Sequence, residues 1–262
     1  MAIEYVLLLN LTAILVLVFS LWLLSLLLHD ASIVDIFWGS GFVVTAWVSL
    51  WAGGRLAPQQ LVLALMVSVW GLRLAGYLAW RNMGKPEDYR YAEMREHHGP
   101  WFPLVSLFTV FGLQGVLMWV ISLPIQVGVS QNPAWYPGMV IGVILWIVGL
   151  FFETVGDYQL ARFKADPANR GRVMNRGLWR YTRHPNYFGD FLAWWGFYFF
   201  AVQPDSWWWT IVGPLLMSFL LIRVSGVRLL ESSLRRRVDG YEAYVRNTSP
   251  FFPLPPRRAT ND

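Results

Sequence analysis

Residues 3–28 read IEYVLLLNLTAILVLVFSLWLLSLLL, with Glu4 the single charged side chain. At about 1.5 Å per helical residue, such a run is long enough to cross a hydrocarbon core of roughly 30 Å. It exceeds the h-region of a secretory signal, and it lacks both a basic n-region and a small-residue cleavage site, so it is expected to persist as a span. Further runs of this kind recur along the chain. The 262 residues are 56% hydrophobic and 14% charged, with 16 Trp and 17 Phe and a mean hydropathy of +0.42. A soluble domain would alternate apolar and polar positions with an amphipathic period instead. The expectation is an all-α, polytopic membrane protein in which the aromatic residues form belts at both interfaces.

Seven spans are expected, at about 3–28, 32–52, 59–80, 103–129, 137–157, 186–204 and 207–227. Gly53, Gly54, Pro58, Pro133, Pro137 and Pro204 punctuate the connections. Pro124 falls inside the fourth span and predicts a kink or an early end there. The segments 81–101, 158–185 and 223–262 hold 19 of the 21 Lys and Arg, and the opposite connections hold only Arg55. The positive-inside rule therefore puts those three segments in the cytoplasm and the N-terminus outside. On this reading the net charge of +5 reports topology and attraction to anionic membrane lipid, with no nucleic-acid partner. Without cysteine there is neither a disulfide nor a thiolate metal site. No soluble linker or internal repeat interrupts the spans, so the chain reads as one membrane domain over 1–262. Residues 1–130 and 137–258 are expected to form its two halves.

The residues that break the lipid rule carry the chemistry, because ionisable groups within spans are costly and functional by default. RGLWRYTRHPNYFGD, residues 176–190, brings cations, His184, Asn186 and Asp190 into the start of an apolar helix. Asn186 and Asp190 are four residues apart, as are Glu153 and Asp157 in the fifth span, so each pair shares a helix face. Two such pairs at one membrane face form the walls of a pocket, or else stand wetted by the cytoplasm. Carboxylates suit ribose hydroxyls, and the arginines of the intervening loop, among them Arg172 and Arg183, suit phosphates. Asp35, in IVDIFWG, is either a proton donor in a buried setting or an acid favoured by the helix N-terminus. Arg73 and Tyr77 are also four apart, and Arg73 either pairs with Asp35 or snorkels. Gln114 bonds a ligand or a neighbouring helix. The segment GKPEDYRYAEMREHHGPW, 84–101, has no apolar period and is expected to act as a lid. Its His97 and His98 lack further donors at ligand spacing, so no metal is expected.

Taken together these motifs resemble the steroid 5α-reductase C-terminal domain. The segment RGLWRYTRHPNYFGD and a tail of the form YxxYxxxxxPFxP, beginning at Tyr241 and Tyr244, carry the likeness. WGLRLxGYL from Trp70, EDYRY from Glu87 and SGVxLLExSL from Ser225 are similar to the bacterial members of that group. Sterol C14-reductases and isoprenylcysteine carboxyl methyltransferases share a shorter core. The resemblance implies seven transmembrane helices in a bacterial inner membrane and NADPH bound towards the cytoplasm. The implied reaction is reduction of the C=C bond of a 3-oxo-Δ4-steroid or similar apolar enone. For the cofactor it implies Glu153, Asp157, Lys164, Arg172, Arg183, His184, Asn186, Tyr187 and Asp190, with Arg228, Glu231, Tyr241 and Tyr244 from the tail. For the substrate it implies Asp35, Trp38 and Gln114, with Asp35 protonated and donating to the carbonyl oxygen. The family's carbonyl-holding tyrosine falls on Trp70, whose indole N–H donates a hydrogen bond but transfers no proton. Tyr77 or Tyr91 stands as the replacement donor, with Arg73 nearby. The alternatives are an S-adenosylmethionine-dependent membrane methyltransferase and a non-catalytic sterol- or lipid-binding relative.

Overall fold

The structure is a computed structural model that describes residues 2–54, 56–131, 134–224 and 240–257. Among the described residues there is no β-strand, only an isolated bridge between Thr182 and Ser249. Among the described residues six helical runs are long and apolar enough to cross a membrane: Ile3–Leu28, Ile33–Gly53, Pro58–Asn82, Tyr89–Ile121, Pro137–Ala165 and Trp207–Val224. This is an all-helical integral membrane protein. The segment expected as a sixth span forms a helix, Pro185–Ala201, of 17 residues.

The first three helices, α1 (Ile3–Leu28), α2 (Ile33–Gly53) and α3 (Pro58–Asn82), show how the chain folds locally. The buried positions of α1 are Val6, Asn10, Ile14, Val18, Leu21 and Ser25, a single stripe at helical spacing; lipid-type side chains cover the rest. α1 ends at His29 in the left-handed conformation, φ 54°. The Asp30 carboxylate then accepts from the Ser32 N–H at 2.8 Å and the Ser32 hydroxyl at 2.6 Å, an Asx turn that launches α2. Pro58 opens α3 at a position where its missing N–H costs nothing.

The region expected as a lid followed by a span from 103 to 129 is built differently. The segment 84–101 contains a helix, α4 (Tyr89–His98), because Asp88 caps it, accepting from the Arg90 N–H at 3.1 Å. α5 (Phe102–Ser106) follows after one 3₁₀ turn, then a π-helical stretch, Leu107–Gly112, then α6 (Leu113–Ile121). The π stretch turns the face presented by everything after it. The helix stops at Ser122, and α7 (Leu123–Ser130) restarts with Pro124 in its first turn. That is the early end Pro124 predicts.

The chain divides into two compact units, residues 1–136 with 200–213, and residues 137–199 with 214–262. In the first unit α2 and α3 meet backbone to backbone: a Cβ on Gly71 would lie 2.5 Å from the Gly39 carbonyl oxygen. In the second, α8 (Pro137–Ala165) crosses α9 (Pro185–Ala201) along a similar seam. A Cβ on Gly189 would lie 2.5 Å from the Gly149 carbonyl oxygen and 2.6 Å from the Glu153 nitrogen, and one on Gly196 would lie 2.8 Å from the Gly142 carbonyl oxygen. Small residues at such crossings let helices approach closely where lipid supplies no hydrophobic drive between them. Gly189→Ala should therefore destabilise the protein by about 1–3 kcal/mol, the usual cost of overpacking. Gly76→Ala is the matched control, since nothing lies within 4 Å of a Cβ there; it should leave stability unchanged or raise it by about 0.5–1 kcal/mol. Thermal unfolding of both variants in one detergent checks the contrast.

Candidate functional site

The first unit gathers a polar cluster around Asp35, in the first turn of α2. Its Oδ1 accepts from the Tyr91 hydroxyl at 2.8 Å and its Oδ2 accepts from Arg90 Nη2 at 2.8 Å. Gln114 Nε2 lies 3.4 Å from the same Oδ1 and 3.3 Å from the Tyr91 oxygen, a long bifurcated contact. Three donors converge on Asp35, so it acts as a carboxylate acceptor. Tyr91 is 6% exposed, so its hydroxyl meets Asp35 away from bulk water.

The same geometry sorts the remaining candidates of this unit. Asp35 pairs with Arg90 of α4, not with Arg73, whose guanidinium lies 5.6 Å from the Tyr77 ring centre. Trp70 is fully buried, its ring 5.8 Å from Phe42, at the α2–α3 crossing one residue from Gly71. Trp70 packs at that seam, and Tyr91 lies beside the carboxylate. Trp38, one turn after Asp35, stacks edge-on against Phe42 at 5.3 Å, so an aromatic wall runs along α2 beside the polar cluster.

A second polar knot ties α4 to the α1–α2 turn. Glu87 Oε1 accepts from the Ala31 N–H at 2.7 Å and from Arg95 Nη2 at 2.8 Å, and Oε2 accepts from Arg95 Nε at 3.0 Å. Burial alone would raise the Glu87 carboxyl, but these hydrogen bonds and the Arg95 charge together hold it below the usual carboxylate range. Burial pushes Asp88 up as well, and hydrogen bonds from the Arg90 side chain and N–H, with the charges of Arg90 and Arg81, outweigh it and lower it.

The second unit contains a cavity of about 600 Å³. Among the described residues Lys164, Arg170, Arg172 and Arg183 supply cations to its lining, and Trp179, Tyr241 and Tyr244 supply aromatic surface. That volume lies within the ordinary range for small-molecule sites. Cations beside aromatic rings fit a phosphate-bearing nucleotide, so NADPH is compatible with the residues present. The cavity depends on the tail, 240–257, bound to the 176–190 motif. The Tyr244 hydroxyl donates to the Trp179 carbonyl, and Arg183 Nη1 donates to the carbonyls of Val245 at 3.0 Å and Thr248 at 2.6 Å. The Thr182 hydroxyl donates to the Phe251 carbonyl at 2.7 Å. Trp179 Nε1 in turn donates to the Gly156 carbonyl at 3.0 Å, fixing the motif to α8.

The paired polar residues of α8 and α9 do meet: Asn186 Nδ2 donates to Asp157 Oδ1 at 3.1 Å. Glu153 and Asp157 are buried, at 2% and 5% exposure, between the helices. They stand beside the glycine seam, and the cavity opens further along α8, from Leu160 to Ala165. Asp190 lies one turn beyond Asn186 on α9. His184 is buried, its ring stacked on Tyr187 at 5.4 Å. Arg228 and Glu231 lie outside the described residues. Among the described residues no group of three or more metal-binding side chains gathers; His97 and His98 touch edge to face at 4.7 Å.

Residues 21–248 match the family described as "Protein of unknown function (DUF1295)". The chain belongs to this family. It is also similar to two uncharacterized proteins of Schizosaccharomyces pombe. One is 26% identical over 228 residues, covering 77% of this chain and 65% of that protein. The other is 28% identical over 109 residues, covering 36% of this chain and 39% of that protein. The chain thus spans less than two thirds of the length of either relative. No solved structure matches it.

Sequence reasoning missed Arg90, Glu87, Arg95, Arg170 and Trp179. The signal for the first three was the alternation of acid and base in PEDYRYAEMRE, which reads as surface until Asp88 is recognised as a cap. Glu87 also has a pH signature. With its carboxyl held low in the folded state, its stabilising effect is full above the unfolded value of about 4.3 and is lost as pH falls through the folded value. Glu87→Gln should therefore melt below wild type at pH 7, and the gap should narrow as pH falls below the unfolded value and through the lower folded one. An undiminished gap at pH 3 contradicts the assignment.

Proposed function

We propose that this chain is a membrane reductase that uses NADPH to saturate the C=C bond of an apolar enone, a 3-oxo-Δ4-steroid or a molecule of that shape. The observation that carries the reading is the 2.8 Å hydrogen bond between Tyr91 and Asp35. The resemblance to steroid 5α-reductases implies a tyrosine and a carboxylate that together hold a substrate carbonyl, and Tyr91 supplies the hydroxyl that Trp70 lacks. When bound, NADPH would supply hydride to the β-carbon of the enone, and a proton from water would complete the saturation at the α-carbon.

On this reading Gln114 Nε2 donates to the ketone oxygen, and the single Tyr91 hydroxyl hydrogen turns from Asp35 to the same oxygen when the enone binds. They withdraw electron density along the conjugated system and stabilise the negative charge that develops on oxygen. Asp35 accepts that hydrogen in the free site and so holds the Tyr91 hydroxyl in place for the ketone. Trp38, backed by the buried Phe42, gives the flat apolar skeleton a surface on α2. Lys164, Arg170 and Arg172 hold phosphates, and Trp179, Tyr241 and Tyr244 pack against the base and ribose. Glu153, Asp157, Asn186 and Asp190 orient the rest of the cofactor. With α9 counted as a shorter seventh span, the positive-inside pattern puts the cationic cavity in the cytoplasm and the N-terminus outside. A bacterial inner membrane suits that orientation.

NADPH oxidation by purified protein in liposomes, with 3-oxo-Δ4-steroids and simpler cyclic enones, tests the reading. Tyr91→Phe should lower kcat about 100-fold, the order expected when one donor to a developing oxyanion is lost. Lys164→Ala with Arg172→Ala should raise the KM for NADPH and leave enone binding intact. Stabilisation by S-adenosylmethionine, with no binding of NADPH, would instead support a methyltransferase. Enone binding without turnover would support a lipid-binding role.

A further inference from the structure

The Asp35 cluster contains a residue that the proposed carbonyl site does not itself require. Arg90 bridges two carboxylates, donating from Nη2 to Asp35 at 2.8 Å and from Nε to Asp88 at 2.8 Å. Its guanidinium also lies 5.3 Å from the Tyr91 ring centre. Asp88 holds it in place from both ends, accepting from the Arg90 backbone N–H as well as from its side chain. The side chain is therefore fixed by the cap of its own helix before it reaches Asp35. Arg81 contributes a second positive charge near Asp88, so two acids face two cations and the cluster balances. The Arg90 and Asp35 side chains are 40% and 27% exposed, which leaves room for a ligand atom to approach the pair.

We propose that Arg90 sets the ligand class of this site: by cancelling the charge of Asp35, it makes the Asp35–Tyr91–Gln114 cluster a receptor for a neutral ketone oxygen and excludes amine cations. The proposal rests on the reading of the Asp35–Tyr91 pair as the substrate-carbonyl site. A carboxylate beside an aromatic wall is otherwise a site for a cation, since both the carboxylate and the ring faces attract positive charge. With Arg90 occupying Oδ2 and lying near the Tyr91 ring, both attractions are already answered. What remains for a ligand is the Gln114 amide, whose long contacts of 3.4 and 3.3 Å are readily exchanged for a shorter bond to a ketone, and the Tyr91 hydroxyl once its hydrogen turns from Asp35 to that ketone. Specificity then comes as much from rejecting the wrong charge as from binding the right group.

The test compares the affinities of two probes of one skeleton, a 3-oxo-Δ4-steroid and the matching 3-amino steroid, a cation at pH 7. Equilibrium binding is measured on the purified full chain, with and without NADPH. Wild type should prefer the ketone. Arg90→Gln should shift the ratio of dissociation constants towards the amine by about tenfold, the order expected for one unpaired carboxylate at a partly exposed site. Arg90→Lys keeps the charge and should keep the wild-type preference. Arg90→Gln combined with Asp35→Asn restores neutrality and should return the ratio towards wild type, which separates charge balance from misfolding. An unchanged ratio in Arg90→Gln overturns the proposal and leaves the reductase reading intact. If neither probe binds wild type under either condition, the proposal and the substrate end of that reading fail together. A shifted ratio without NADPH oxidation supports the proposal and removes the reductase reading.

Discussion

Backbone contact between glycines holds the helices of this protein together. In water, two apolar helix faces associate because both leave solvent; in lipid that drive vanishes, and close packing and interhelical hydrogen bonds must replace it. Gly39 against Gly71 does this for α2 and α3, and Gly149 against Gly189 for α8 and α9. Each contact admits no side chain, so each fixes the rotation of its two helices to within a narrow range. The polar residues then fall where that rotation puts them. Asp35 is one turn from Gly39, and Glu153 and Asp157 flank the Gly149 seam.

Both polar regions use one device. A charged or amide side chain at a helix end is held by partners distant in sequence, so that no charge faces lipid alone. Asp35 meets Arg90 and Tyr91 across more than fifty residues of sequence. Arg183 meets the carbonyls of Val245 and Thr248 across more than sixty. These bonds do double duty. They satisfy groups that would be expensive to bury, and they hold the elements around each site in fixed geometry. The 2% exposure of Glu153 shows how far the protein goes in withdrawing such groups from the bilayer.

The helices were legible because a span writes its length directly into the sequence, and Ile3–Leu28 and Pro58–Asn82 fall close to their expected limits. The four-residue spacing of Glu153 with Asp157, and of Asn186 with Asp190, correctly put each pair on one face, and the Asn186–Asp157 bond joins the two helices. The break at Ser122 followed from Pro124. Tyr91 as the partner of Asp35 was not legible. Its helix has no apolar period, and a contact between distant segments leaves no trace in spacing. The depth of Trp70 was hidden for a related reason: an alignment fixes a position along a helix but not its depth, and Trp70 lies in the core beside the Gly39–Gly71 contact. The cavity lining was half visible, as cations whose second role as topology signals hid which of them converge.

The strap of the tail across the 176–190 motif bears on how the protein is made. Trp179, Thr182 and Arg183 enter the membrane face while the residues that receive their hydrogen bonds, or donate to them, are still being translated. At about 5–20 residues per second the interval lasts on the order of several seconds. During it α8 and α9 can already seal along their glycines, but the cavity has no far wall. The cavity is therefore the last part of this unit to form, completed after its helices are in the bilayer. A nascent chain stalled before residue 241 would be membrane-inserted and helical, yet unable to close around a ligand.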